Sequence, residues 1–219
     1  MVNLPEGKMS SRLGNIIIVE SLLDQLHKKA WKKIQETTET KIEGEYAYYS
    51  KDAKVLPSKQ WSTAEAVGIG AIKYALLKNT IGKNIEFYIK ESVNLDGNSG
   101  PYLQYTYVRC RSVLKKASIN NETMKQFNNL TMNPDELNLL RKFYQFPEIV
   151  LKSAQNYSPN FIATYLYELA SQFNLFYQKN PILKADKETK ELRLLITLTM
   201  AKIIKKGLEL LGIKTVKRM

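Results

Sequence analysis

Ser158–Tyr177 reads "SPNFIATYLYELASQFNLFY". Within it Ile162, Leu166, Leu169, Phe173 and Phe176 recur in steps of three and four, so one side of a helix is apolar along its whole length. Ser158-Pro159 is a start signal, and the helix runs into the turn "QKNP" just after Tyr177. The neighbouring segments follow the same pattern. "NPDEL" supplies Asn133 as N-cap, Pro134 at the first helical position and Glu136 at the third. A last helix is expected from near Asp186 to a C-cap at Gly212, with Leu192, Leu195, Ile196, Ile203, Leu210 and Leu211 facing inward. "PYLQYTYVRCRSVLKKA" opens on Pro101 and ends basic, as helix termini prefer. Several such helices sharing one core make an all-α bundle.

Towards the N-terminus the signals are mixed. Leu22, Leu23, Leu26, Ala30 and Ile34 recur at helical spacing with lysines between them. Residues 35–62 loosen into a polar connection, stopped by Pro57. "TAEAVGIGAIKYALL", residues 63–77, predicts a buried helix in which Gly68 and Gly70 allow close packing against a neighbour. "NIEFYIKES" alternates apolar and polar residues as a strand does, and "LDGNSG" has the composition of a tight turn.

The 219 residues carry 33 Lys+Arg against 21 Asp+Glu, a formal net charge of +12. A surplus of that size points to a polyanionic partner, nucleic acid or an anionic membrane surface. No apolar run approaches the roughly 20 residues a membrane-spanning helix needs. The opening "MVNLPEGKMSS" contains no apolar signal core, so a cytoplasmic location is expected. Cys110 is the single cysteine and His27 the single histidine, which excludes a disulfide framework and a Cys/His zinc site. His27 reads as a surface residue of a basic amphipathic helix and Cys110 as a small buried hydrophobe. No protein-bound metal is expected.

One motif stands apart. "KMSSRLGN", Lys8 to Asn15, gathers a lysine, two serines, an arginine and a glycine before an apolar run, the make-up of a loop that holds anions. In its wider setting "LPEGKMSSRLGNIIIVESLLDQ", it resembles the K-M-S-K-S signature loop of class I aminoacyl-tRNA synthetases in the form arginyl enzymes use. "AIKYALL" with "LDGNSGPYLQYTYVRCRSVLKKA" is similar to that family's join between catalytic core and anticodon-binding bundle. "FPEIVLKSA", "PNFIATYLYELASQFNLFY" and the terminal "KKGLELLGIKTVKRM" resemble the bundle itself. The resemblance implies a mainly α chain: the loop and stem segment of a class I core at residues 1–85, then the bundle at 86–219. The family's H-x-G-H signature needs two histidines, so the Rossmann-type half that holds ATP and arginine would lie elsewhere, in the same or a separate chain. This chain alone is not expected to charge tRNA.

The resemblance also implies roles. Lys8, Ser10, Ser11 and Arg12 would steady the phosphates of ATP, accompanied by Mg, and Met9 would help bind the nucleotide. Charge building on the phosphate oxygens as pyrophosphate leaves is what such donors stabilise. The family's second lysine is Ser11 here, and Leu13 replaces a lysine often found before the glycine, so the loop carries less charge. Tyr177 and Met219 would neighbour the anticodon bases of an arginine-accepting tRNA. Asn98, Tyr102, Tyr105 and Arg109 would lie beside its stem and loop. Lys217 and Arg218 suit phosphate on charge alone, and Arg193 is a further tRNA candidate, although the Asp-Ala-Leu-Arg string is absent. Unpaired bases are read by stacking and by polar contacts to their edges, and the chain has 13 tyrosines to offer.

Other readings stay open at this level. Tyr165, Tyr167 and Phe173 fall at core spacing, and Tyr102 and Tyr105, three apart on one helical face, fit burial as well as RNA contact. The lysines of "HKKAWKK" fit a solvated face as well as an RNA backbone. A free-standing RNA-binding helical module without catalysis is the alternative function, and it leaves the loop at Lys8 unused. A monomer without membrane attachment is expected under both.

Overall fold

The computed structural model describes residues 2–4, 7–8, 23–26, 28–29, 59–118 and 131–219. The chain divides into two units, one formed by residues 1–102 with 212–219 and the other by residues 103–211.

In the first unit β1 (Val2–Leu4) pairs antiparallel with β2 (Gly7–Lys8) and parallel with β3 (Ile85–Glu86). The register sets Asn3 opposite Lys8 and Val2 opposite Ile85. The expected strand at "NIEFYIKES" is therefore two residues long. Exposure does alternate through Glu86, Phe87 and Tyr88, but the pairing with β1 stops at Glu86, and α2 (Ile89–Ser92) follows as a single helical turn. The same unit contains α1 (Lys59–Leu77), which begins four residues earlier than the sequence pattern suggested. Ala71 of α1 shares a small core with Leu26, Phe87 and Val93, bordered by Ile72, Ala75 and Ile89. The expected close approach is met at Gly70. A Cβ on Gly100 would stand 2.5 Å from the Gly70 carbonyl oxygen, so only glycine fits where α3 (Gly100–Lys116) starts.

The second unit takes the rest of α3 and adds α4 (Pro134–Gln155), α5 (Asn160–Lys179) and α6 (Lys187–Leu210), the last three packing on one another. Asn133 caps α4 as the sequence requires. Its side chain accepts from the Glu136 amide at 2.9 Å, and its own amide donates to Glu136 Oε2 at 2.9 Å. Pro147 removes an N–H inside α4, and one turn upstream Tyr165 donates its hydroxyl to the Lys142 carbonyl at 2.7 Å. The seam of α5 is buried at Ile162, Leu166, Leu169, Phe173 and Phe176. Each such side chain contributes on the order of 1.5–3 kcal/mol by leaving water.

Two expectations for α6 need correction. Leu210 is 47% exposed while Leu211 is buried, because consecutive residues on a helix point about 100° apart and only one leucine can face the core. Leu211 is the C-cap, and Gly212 stands one position beyond it at φ +67°, the left-handed conformation that terminates helices without steric cost only for glycine. Cys110 is fully buried, and burial pushes its thiol pKa well above the usual range, as expected of a core residue. His27 and residues 30–58 lie outside the described residues. Among the described residues no helix is long and apolar enough to cross a membrane.

Candidate nucleic-acid interface

Three of the residues assigned to RNA meet on one face of the second unit. Tyr105 and Arg109 are four apart on α3, hence on one side of it, and Tyr177 lies in the last turn of α5. The Arg109 guanidinium carbon lies 4.9 Å from the Tyr105 ring centroid and 5.3 Å from that of Tyr177, so the cation is flanked by both rings. Its Nη1 donates to Asn174 Oδ1 at 2.6 Å, and Asn174 Nδ2 in turn donates to Thr106 Oγ1 at 3.2 Å. Phe173, fully buried, underlies Tyr177 with centroids 6.5 Å apart and planes 29° from parallel. Tyr177 itself is 37% exposed.

This arrangement is held from within the fold. The apolar seam fixes Phe173, Phe173 supports Tyr177 from below, and Asn174 fixes the angle of the guanidinium. The guanidinium has five N–H donors, and its position beside the rings suits a base edge or a phosphate. Asn174 and Thr106 were missed by the sequence reading. The signal available was polarity out of place: an asparagine in "QFNLFY" and a threonine in "YLQYTYV", both at buried positions.

Arg193 is placed differently. Its Nε donates to Glu136 Oε1 at 2.8 Å, its Nη1 to the Pro181 carbonyl at 2.8 Å, and its Nη2 reaches Asn180 Oδ1 at 3.5 Å. The side chain is 12% exposed and that of Glu136 3%. Three of its N–H groups are thus taken up by the protein, which gives the guanidinium a structural role.

The remaining candidates belong to the first unit. Tyr74 of α1 donates its hydroxyl to Asn98 Oδ1 at 2.7 Å, and Lys78, just past α1, donates its Nζ to the Asn98 carbonyl at 2.9 Å, so both hold the "DGNSG" turn, in which Asp96 and Asn98 are exposed and Ser99 is buried. Burial lowers the Lys78 pKa, with Glu91 opposing that shift. Tyr102 is half-buried, and its amide donates to Ser99 Oγ. Beyond Gly212, whose carbonyl accepts from Lys73 Nζ at 2.5 Å, Ile213 and Val216 are buried. Lys217 and Arg218 are exposed, and Met219 is half-buried. Lys8 ends β2, while Met9, Ser10, Ser11 and Arg12 lie outside the described residues.

Residues 103–219 match the family model described as the DALR anticodon binding domain. The chain belongs to that family. Over its whole length it is 36% identical to the arginine–tRNA ligase of Parabacteroides distasonis, covering 35% of that protein, and 36% identical to that of Halothermothrix orenii, covering 36% of it. In fold it is similar to Thermus thermophilus arginyl-tRNA synthetase, with a TM-score of 0.80, 26% identity, all of this chain covered and 34% of the other. The chain therefore spans about a third of the length of the curated relatives it matches.

Proposed function

We propose that this chain is the tRNA-recognising and loop-bearing portion of an arginine–tRNA ligase, and that its second unit reads the anticodon. The observation that carries this reading is the Tyr105–Arg109–Tyr177 cluster, three chemically suitable side chains gathered from two helices within the family's anticodon-binding region. Tyr177 supplies a stacking face, and Arg109 supplies a forked donor beside it. In the first unit, Tyr102, Asn98, Lys217, Arg218 and Met219 offer further contacts to stem and backbone, and the net charge of +12 draws the polyanion in.

The catalytic contribution rests on Lys8, Met9, Ser10, Ser11 and Arg12. Arginine activation joins the amino-acid carboxylate to the α-phosphate of ATP and expels pyrophosphate. Lys8 offers a point charge and Arg12 a fork, while Ser10 and Ser11 offer hydroxyls to the oxygens on which charge accumulates. ATP, with Mg, is the substrate held there, and the arginine pocket comes from a Rossmann-type half in the same or a separate chain. Alone, this chain binds tRNA and does not charge it. A cytoplasmic monomer completes the proposal.

The test is binding of the 219-residue chain to an arginine tRNA and to a copy with the middle anticodon base changed, at two salt concentrations. The altered anticodon is expected to bind more weakly at both. Tyr177→Ala should lose about 5- to 150-fold in affinity for the cognate tRNA, the equivalent of roughly 1–3 kcal/mol of stacking, while Tyr177→Phe keeps most of it. Equal binding of both tRNAs, fading together as salt rises, would show a purely electrostatic contact and overturn the anticodon reading.

A further inference from the structure

The last turn of α5, which carries Tyr177, ends in a polar knot assembled from three helices. Asn180 is the C-cap. Its backbone amide and its Nδ2 both donate to the Phe176 carbonyl, at 2.8 and 3.1 Å. The last four carbonyls of a helix have no partner of their own, so this doubled bond fixes the turn that Phe176 and Tyr177 share. Asn180 is itself 92% removed from solvent by neighbours that use its remaining polar atoms, since its exposure is 8%. Asn133 Nδ2 donates to its Oδ1 at 2.8 Å, and its Nδ2 also reaches Asp135 Oδ2 at 3.3 Å. Arg193 closes the assembly through Glu136, Asn180 and the Pro181 carbonyl.

The knot thus ties the capped start of α4 and the first turns of α6 to the end of α5. Nothing in it faces the Tyr105–Arg109–Tyr177 cluster directly. What it touches is the backbone from which Tyr177 projects, three residues before Asn180 and four before Pro181. The ring of Tyr177 meets Arg109 at 5.3 Å only while that terminal turn stays wound.

We infer that Arg193 and Asn180 are positioning residues, which hold Tyr177 against Arg109 by locking the end of α5. Arginine is required at position 193 because the three acceptors lie in different directions around one planar fork, and a lysine ammonium at that site is a single point that cannot serve them together. The inference extends the anticodon reading proposed above, and its structural half can be tested without RNA.

In the full chain, protons on Arg109 Cδ should be shifted upfield by the two tyrosine rings, and NMR resolves that shift. Arg193→Lys keeps a positive charge beside Glu136, and Asn180→Ala leaves the Arg193–Glu136 pair in place, so one variant remains interpretable where the other fails to fold. In a folded variant the Arg109 shift is expected to relax towards the value seen in Tyr177→Ala, and discrimination between the two tRNAs to fall by about fivefold or more. Binding of the changed-anticodon tRNA should stay as it is, which a general loss of structure would not allow. An Arg109 shift and a discrimination ratio both unchanged in folded variants would overturn the inference. A relaxed shift in a protein that never discriminated, even unaltered, would support the positioning and overturn the anticodon reading instead.

Discussion

Arg109 and Arg193 are both half-buried arginines of the helical unit, and they differ in every other respect. Arg109 spends one nitrogen on Asn174 and turns its face to two tyrosine rings, one of them 37% exposed. Arg193 spends its fork on a carboxylate, a carbonyl and an amide, inside a side-chain environment that leaves it 12% exposed. Charge and helical position are the same kind of fact for both, and neither separates them. What does is the chemistry of the partners. An arginine beside aromatic faces still has strong directional donors to give to a ligand, whereas an arginine saturated by a buried acid has given them to the fold.

The largest expected effect tests that division directly. Arg193→Met removes the partner of Glu136, whose side chain is 3% exposed, and strands a carboxylate in the interior. Breaking a buried pair from one side costs on the order of 3–5 kcal/mol, and urea unfolding should show a loss of that size. Arg109→Met loses the ring contacts and leaves the buried Asn174 Oδ1 without its donor, so it should cost the fold about 1–3 kcal/mol, less than the loss of the buried ion pair. The double change Arg193→Met with Glu136→Gln should recover part of the loss, because no charge is then left unpaired. If the two single variants unfold alike, the contrast between the arginines fails.

A smaller effect asks whether the cap of α4 acts as part of the knot or by itself. Asn133→Ala removes the bond to the Glu136 amide and the bond to Asn180 together. A lost N-cap alone costs about 1 kcal/mol. If the cap is wired into the knot, Asn133→Ala and Arg193→Met should be non-additive, the pair losing less than the two separate costs, and a thermodynamic cycle measures the difference. Strict additivity would make the cap an independent local device.

Much of the bundle was legible because its determinants are local. The Asn133-Pro134-Asp135-Glu136 run specifies a capping box within four residues, and the apolar steps of α5 specify its buried face without reference to any other segment. Tyr177 is singled out by the family resemblance, and its place where a helix gives way to a turn only favours exposure over burial. The pairings that give these residues their roles are not local. Arg109 and Asn174 are 65 positions apart, and Glu136 and Arg193 are 57 apart. Which of two similar arginines ends opposite a tyrosine and which opposite a glutamate depends on how the helices cross, and no short pattern encodes that. Leu210 failed for a related reason: the pair Leu210-Leu211 fits the inward face in either phase, and the packing of α6 chooses.

The smallest expected effect sets the wired cap of α4 against a solitary one. Asp186 begins α6 by accepting from the Thr189 amide at 3.0 Å, and no other helix is joined to it by a described hydrogen bond. The oxygen that does this work in α4 is the neutral amide of Asn133, whereas in α6 it is a carboxylate. The Thr189 backbone hydrogen bond, followed by its hydroxyl, holds the Asp186 pKa below the usual 3.8. A carboxyl lowered by folding stabilises the folded state above its ordinary pKa, and that contribution disappears as pH falls through the lowered value. The Thr189 amide resonance should therefore titrate with an inflection below 3.8, and protection of the first turn of α6 should weaken across the same interval. In Asp186→Asn the side chain still caps, but it has no proton to gain, so both profiles should run flat. Because this cap is exposed and joined to nothing else, its acid loss should stay within the first turn of α6 and leave the Arg109 ring shift where it was. Movement of that shift with the Asp186 titration would mean the end of α6 reaches Tyr177 by a route other than Arg193, and the division between the two arginines would have to be redrawn.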